Sequence, residues 1–266
     1  MSWPEFHNSA VIRAPERLVL RRGRWQRIAI GVRYGLMLDP AGRPVLIDTG
    51  YGPRATEMPG RSAMLRFYGR VLGPQLMREE LPLAVLARHG YRSGDVAQIV
   101  LTHFHPDHVA ALRDFPAARI LASGAAWRRI AAMRRHQQLR HAVFAELLPP
   151  DLAARLDPLE ERPEVAAPLG LGTGRDIFGD GNCIAIELPG HALGHFGLVW
   201  PKRDRPLLYA VDTQWLSAAA LEGRLPRGAA RLVYADEDRM RESAARVRRF
   251  AEAGGEVLFC HEQVEA

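Results

Sequence analysis

The sequence predicts an α+β fold in which two β-sheets pack face to face with helices on their outer faces. Two observations carry this expectation. Strand and helix signals alternate twice, once in each half of the chain, and each half opens strand-rich. With 266 residues, 47% of them apolar, the chain is also long enough to bury a substantial core. No fixed-period repeat and no low-complexity linker interrupts it, so residues 1–266 are read as a single domain.

The elements follow in order. Arg17–Leu20 and Arg27–Leu38 read as extended runs, and Asp39-Pro40-Ala41-Gly42 has the residues of a chain reversal. Pro44–Ile47 is a short apolar strand that ends in Asp48-Thr49-Gly50. From Tyr51 to Gln75 scattered Gly and Pro suggest a loop with a short helix. Pro82–His89 has a first-turn proline and a Gly90 stop, the marks of a helix. Gln98–Thr102 is an apolar strand, a helix is expected from Val109, and Arg119–Ala122 is a further strand. Ser123 stands where an N-cap belongs, ahead of Trp127, Ile130 and Met133 at helical spacing. Residues 136–169 read as helical or irregular. Ile184–Leu188, Gly197–Trp200 and Pro206–Val211 read as strands. Asp236 caps a helix whose apolar face is Met240, Ala244, Val247 and Ala251, and Glu256–Cys260 is the last strand.

Composition excludes several classes. No run reaches the roughly 18 apolar residues of a membrane span, so no membrane partner is expected. The opening MSWPEFHNSA has no basic start followed by an apolar stretch, and the expectation is a cytoplasmic protein. The formal charge is +6, and Lys202 is the only lysine among 36 basic residues. Arginines cluster at Arg128, Arg129, Arg134 and Arg135 without interleaved aromatics, so a solvated face is expected rather than nucleic-acid binding.

The chemistry concentrates in Thr102-His103-Phe104-His105-Pro106-Asp107-His108. Four potential ligands lie where a buried strand ends. Alternation along an extended chain points His103 and His105 the same way, and the turn after Pro106 brings Asp107 and His108 alongside. Imidazoles and carboxylates suit Zn²⁺, Fe or Mn, and the lack of cysteine in the cluster argues against a closed structural zinc site. Cys183 and Cys260 are the only cysteines, and neither is expected beside a His–Asp pair.

The H-x-H-x-D-H pattern after an apolar strand resembles the signature of the metallo-β-lactamase superfamily. Ile47-Asp48-Thr49-Gly50 is similar to that family's early aspartate motif, and Leu188-Pro189-Gly190-His191-Ala192-Leu193-Gly194-His195 to its P-G-H motif. Val211-Asp212 resembles its strand-ending aspartate, and Phe259-Cys260-His261-Glu262 its final histidine strand, with Cys260 and Glu262 where Gly and Asp are usual. The resemblance implies an αββα sandwich and two divalent metal ions, zinc ahead of iron or manganese. It implies His103, His105 and His191 on one ion, Asp107, His108 and His261 on the other, and Asp212 shared between them. Asp48 and His195 are expected to support these ligands rather than join them.

It also implies a hydrolase in which metal-activated hydroxide opens an ester or lactone, with Asp107 orienting the nucleophile and carrying a proton. Size and layout look most like the N-acyl-homoserine lactonases. Those enzymes usually carry a tyrosine three residues after the shared aspartate, and Trp215 stands there in this chain. A glyoxalase II-like thioesterase or a phosphodiesterase is the alternative. A mononuclear iron oxygenase and a silent metal-binding sensor rank behind. The expected partner is a small-molecule ester, lactone or thioester. Met58, Met64, Leu65, Phe67 and Tyr68 are read either as lining an acyl-chain groove or as core or homodimer contacts.

Overall fold

The computed structural model describes residues 3–226 and 234–264. They fall into two compact units. The first runs to Arg13 and from Ala29 to Pro158, and the second comprises Ala14–Ile28 and the chain from Leu159 onward.

The first unit is built on a mixed sheet of β1 (Glu5–Pro15), β2 (Arg27–Leu38), β3 (Pro44–Ile47), β4 (Gln75–Leu76), β5 (Gln98–Val100), β6 (Arg119–Ala122) and β7 (Leu156–Pro158). Their order is β4-β1-β2-β3-β5-β6-β7. β2 and β3 pair antiparallel through the predicted turn, and β3, β5, β6 and β7 run parallel. Every residue of β3 is buried, as are Ile99, Val100, Ile120 and Leu121. Such continuous apolar runs, rather than alternation, mark strands covered on both faces.

At the turn, Asp39 Oδ1 accepts from the amides of Ala41 and Arg43 at 2.9 and 2.8 Å. Burial alone would raise this carboxyl, but the Arg43 and Ala41 donors outweigh it and hold the pKa below the usual range. The helix Gly124–Ala132 starts at Ser123, whose hydroxyl accepts from Ala126 N at 3.2 Å.

The second unit carries β8 (Glu164–Ala166), β9 (Thr173–Asp176), β10 (Ile184–Glu187), β11 (Phe196–Trp200), β12 (Leu207–Val211) and β13 (Glu256–Phe259), in the order β13-β12-β11-β10-β9-β8. Among the described residues, only the β12–β13 pair is parallel in this mixed sheet. The helix Glu237–Glu252 begins at Asp236, whose carboxylate accepts from Arg239 N at 3.1 Å. Met240, Ala244, Val247 and Phe250 form its buried face. Phe250 rather than the expected Ala251 closes that face, because the larger ring fills the space against Phe259 and Leu208 in one core cluster.

The structure departs from the sequence expectations at further points. Arg17–Leu20 is not extended. Glu16–Val19 forms a single helical turn, and the Glu16 carboxylate ties the following loop down by accepting from Arg24 N at 2.8 Å. β1 was not expected, and neither were β7, β8 and β9. Their residues carry little apolar alternation, and partner strands rather than side-chain pattern define them. The helix after the histidine cluster begins at Pro106, not at Val109. Among the described residues, no helix is long and apolar enough to cross a membrane.

Candidate metal centre

In the first unit, β3 and β5 end side by side, with Ile47 opposite Val100. Asp48 leaves β3 in the left-handed region, at φ 58°, and its amide donates to Val100 O at 2.9 Å. A non-glycine residue there is uncommon, and the turn aims the carboxylate at the next strand end. Oδ1 accepts from Thr102 N at 2.8 Å, and Oδ2 accepts from Thr102 Oγ1 at 2.8 Å. His108 Nδ1 also lies 2.8 Å from Oδ2. Burial pushes the Asp48 carboxyl up, against the opposing pull of His108 and of the Thr102 donors.

The Asp48 contact sets the chemistry of His108. With Nδ1–H donating to a carboxylate, the lone pair of the neutral ring is on Nε2, the atom a metal would take. Thr49 fixes the same turn from the other side: its hydroxyl donates to His108 O at 2.8 Å and accepts from Ala111 N at 3.1 Å. Pro106 occupies the first position of the helical turn Pro106–Val109, so its missing N–H leaves no bond unmade. Asp107 and His108 therefore sit on one rigid turn. The His103 ring lies 4.5 Å from His105 and 3.9 Å from His108, centroid to centroid, and all three are buried.

In the second unit the chain turns sharply at the end of β12. Val211 has φ 51°, and the β12–β13 register shifts between Tyr209 and Val211. A β-branched residue in this region is strained, and the residue that follows is Asp212. The Asp212 amide donates to His195 Nε2 at 3.2 Å, while His195 Nδ1 donates to Leu188 O at 2.7 Å. His195 thus joins the P-G-H loop to the Asp212 backbone through both ring nitrogens. Gly190, at φ 124°, lets that loop lie against the helix Glu237–Glu252. A Cβ at Gly190 would stand 2.1 Å from Met240 N. Asp236 N donates to Gly190 O at 2.9 Å, Ala235 N to His191 O at 3.0 Å, and Ser243 Oγ to Pro189 O at 2.7 Å.

His191 Nε2 faces Asp212 Oδ2 at 3.4 Å, and His261 Nε2 faces Asp212 Oδ1 at 3.6 Å. In the first unit His108 Nε2 stands 3.6 Å from Asp107 Oδ2. All three separations exceed a good N–H···O distance. They lie close to the spacing of about 3.4 Å between two donors that each lie about 2.1 Å from one tetrahedral ion. The donor set, imidazoles with carboxylates, is that of zinc and neighbouring transition metals. The residues therefore fit a metal centre.

The ten residues named from the sequence divide by unit. Asp48, His103, His105, Asp107 and His108 lie at the β3 and β5 ends of the first. His191, His195, Asp212, Trp215 and His261 lie around the β12 end of the second. Trp215 packs edge-on to the His261 ring, 5.9 Å between centroids. Glu262 is engaged elsewhere, accepting from Ser217 N at 2.8 Å. One expectation is corrected: Cys260 does lie beside a His–Asp pair, with a ligand atom within 4.8 Å of an Asp212 oxygen and His261 next in the chain. The bend after β13 brings it there, which residue spacing does not reveal. Sequence reasoning also gave no role to Thr49, Thr102 or Tyr234. Tyr234 stands 6.5 Å from His191, ring to ring, and burial pushes its phenol up to about 12. Met58, Met64 and Phe67 are exposed, whereas Leu65 belongs to the core.

A family model described as the metallo-beta-lactamase superfamily matches residues 33–215, more than half of the chain. A probable metallo-hydrolase of Mycobacterium tuberculosis is 29% identical over 211 residues, 76% of this chain. The chain spans 64% of that relative's length. A solved N-acyl homoserine lactone hydrolase, with the product N-hexanoyl-L-homoserine at its catalytic metal center, superposes with a TM-score of 0.72 at 18% identity. It covers 97% of this chain and 92% of its own. A dizinc quorum-quenching lactonase in complex with the same kind of product gives a TM-score of 0.65 at 16% identity, covering 99% of this chain and 91% of its own. At these identities the likeness is one of fold, the α+β sandwich expected from the sequence.

Proposed function

The chain belongs to the metallo-β-lactamase superfamily, and from that premise we propose that it is a binuclear metal-dependent hydrolase acting on a small ester or lactone. The reading assigns His103, His105 and His191 to one ion, Asp107, His108 and His261 to the other, and Asp212 to both. Asp212 carries it: its two oxygens face two different imidazoles, each at ligand-to-ligand spacing rather than hydrogen-bond spacing. A carboxylate shared between two cations needs that arrangement. The family match takes in parts of both units, which supports treating the chain as one functional domain.

When bound, two such cations supply water that ionises near neutral pH and a Lewis-acid hold on the electrophile's oxygen. The remaining work is done by the chain's own groups. Asp48 keeps the His108 lone pair on Nε2, and His195 fixes the backbone from which Asp212 projects. Asp107, slightly open to solvent beside His108, orients the nucleophile and passes a proton to the leaving oxygen. The Trp215 indole N–H offers a donor to a substrate carbonyl, without the hydroxyl of a tyrosine. The product-bound lactonases of the same fold support a lactone as the first substrate to try.

Elemental analysis, with turnover on a panel of esters, lactones, thioesters and phosphodiesters, tests this reading. About two transition-metal ions per chain and preference for an ester or lactone are expected. Asp212→Ala should lose one ion and nearly all turnover. A chain that holds one ion or none after reconstitution, or an Asp212→Ala variant at full metal content and rate, overturns the assignment.

A further inference from the structure

Cys260 follows β13 directly, and its amide donates to Val211 O at 2.9 Å. On a regular strand, Cys260 and the next residue, His261, would point to opposite sides. The register shift at the end of β12 and the bend after Phe259 break that alternation. As a result His261 Nε2 lies 3.6 Å from Asp212 Oδ1, and the Cys260 sulfur lies within 4.8 Å of an oxygen of the same carboxylate. Both residues are buried. Glu262, accepting from Ser217 N at 2.8 Å, holds the bend from its far side.

We infer that Cys260 is a sulfur donor to the metal held by Asp212 and His261, an inference that rests on the metal centre proposed above. Sulfur and oxygen on one tetrahedral ion, with bonds of about 2.3 and 2.1 Å, stand about 3.6 Å apart. The Cys260 sulfur lies within 4.8 Å of the Asp212 carboxylate, so sharing one ion with it asks the sulfur to move by at most about 1.2 Å. Binding breaks the S–H bond and forms a sulfur–metal bond. The proton goes to water and no electron changes hands. A thiolate would bias the second position toward zinc and away from manganese, because soft sulfur suits the former. It would also make metal occupancy and thiol reactivity mutually exclusive at this residue.

Cobalt(II) reports sulfur ligation directly, through a thiolate-to-cobalt charge-transfer band in the near ultraviolet, separate from the visible ligand-field bands. The full chain is stripped with a chelator and reloaded with cobalt(II), as wild type, Cys260→Ser and Cys183→Ser. Cys183 is the control, a thiol held well above its usual pKa by burial and then by the Asp176 and Asp180 carboxylates. The charge-transfer band is expected in wild type and Cys183→Ser and is lost in Cys260→Ser, whose visible bands remain. Zinc should protect Cys260, and not Cys183, from alkylation mapped by peptide. In chelator competition, Cys260→Ser should hold zinc at least about tenfold more weakly. Visible bands without charge transfer in wild type overturn the sulfur donor and leave the metal centre standing. A band that survives in Cys260→Ser also overturns it. A chain that takes up no cobalt overturns both.

Discussion

Asp48 shows how one carboxylate can govern a site it need not enter. It accepts from Thr102 twice and from His108 once, every bond at 2.8 Å. Asp48→Asn keeps the volume but offers an amide that can donate where a carboxylate only accepts. If its NH₂ turns to His108 Nδ1, the ring must carry its proton on Nε2, the atom proposed to bind metal. Metal affinity in Asp48→Asn should fall about 10- to 100-fold, read by chelator competition, with far-ultraviolet circular dichroism unchanged. An Asn variant that binds metal as tightly as wild type would show that Asp48 does not set the tautomer. The cluster His103, His105, Asp107 and His108 was legible as a candidate site because coordination would demand those residue types within a few positions of one another. Cys260 was not legible, since a strand bulge and a bend bring it to Asp212.

Among the elements, those carrying local chemistry were readable and those defined by their neighbours were not. Ser123 and Asp236 announced their helices because a short polar side chain satisfies amides that no turn of helix can reach. β3 and β12 were readable as unbroken apolar runs. β9, Thr-Gly-Arg-Asp, carries no such pattern and is a strand because β8 and β10 flank it. Gly190 falls between these cases: the P-G-H motif marks it, but only the packing explains it. At φ 124°, with Met240 N placed 2.1 Å from any Cβ, it can be replaced only if the helix moves. Gly190→Ala should therefore cost at least about 3 kcal/mol in denaturant unfolding and weaken metal retention through His191. Gly42→Ala is the matching control. Gly42 is at φ 78° with nothing within 4 Å, so only backbone strain remains, about 1 kcal/mol. Equal costs at the two positions would mean that the loop-to-helix contact is unimportant.

At the scale of the whole molecule, metal and stability should be one linked quantity. Each proposed ligand is buried, and three imidazole–carboxylate pairs among them stand 3.4–3.6 Å apart, near the spacing of two donors on one ion. Ions that bind the folded chain and not the unfolded one stabilise it by RT ln(1 + [L]/Kd), about 2.7 kcal/mol at a hundredfold excess over Kd. Chelation should accordingly lower the melting temperature, and reloading with zinc should restore it. The sign of the pH dependence follows from the ligands. A proton on an imidazole nitrogen excludes a metal from it, and ordinary imidazole titrates near about 6.5. The gap in melting temperature between metal-loaded and chelated protein should be widest above pH of about 7.5 and shrink steadily as pH falls through about 6. Metal binding that displaces more than one proton makes that loss steeper than a single-proton titration. Differential scanning calorimetry of both forms from about pH 8 to about pH 5 measures this gap. A constant gap across that range would mean that the stabilising ions are held by carboxylates or backbone oxygens, and that the five histidines are not their ligands.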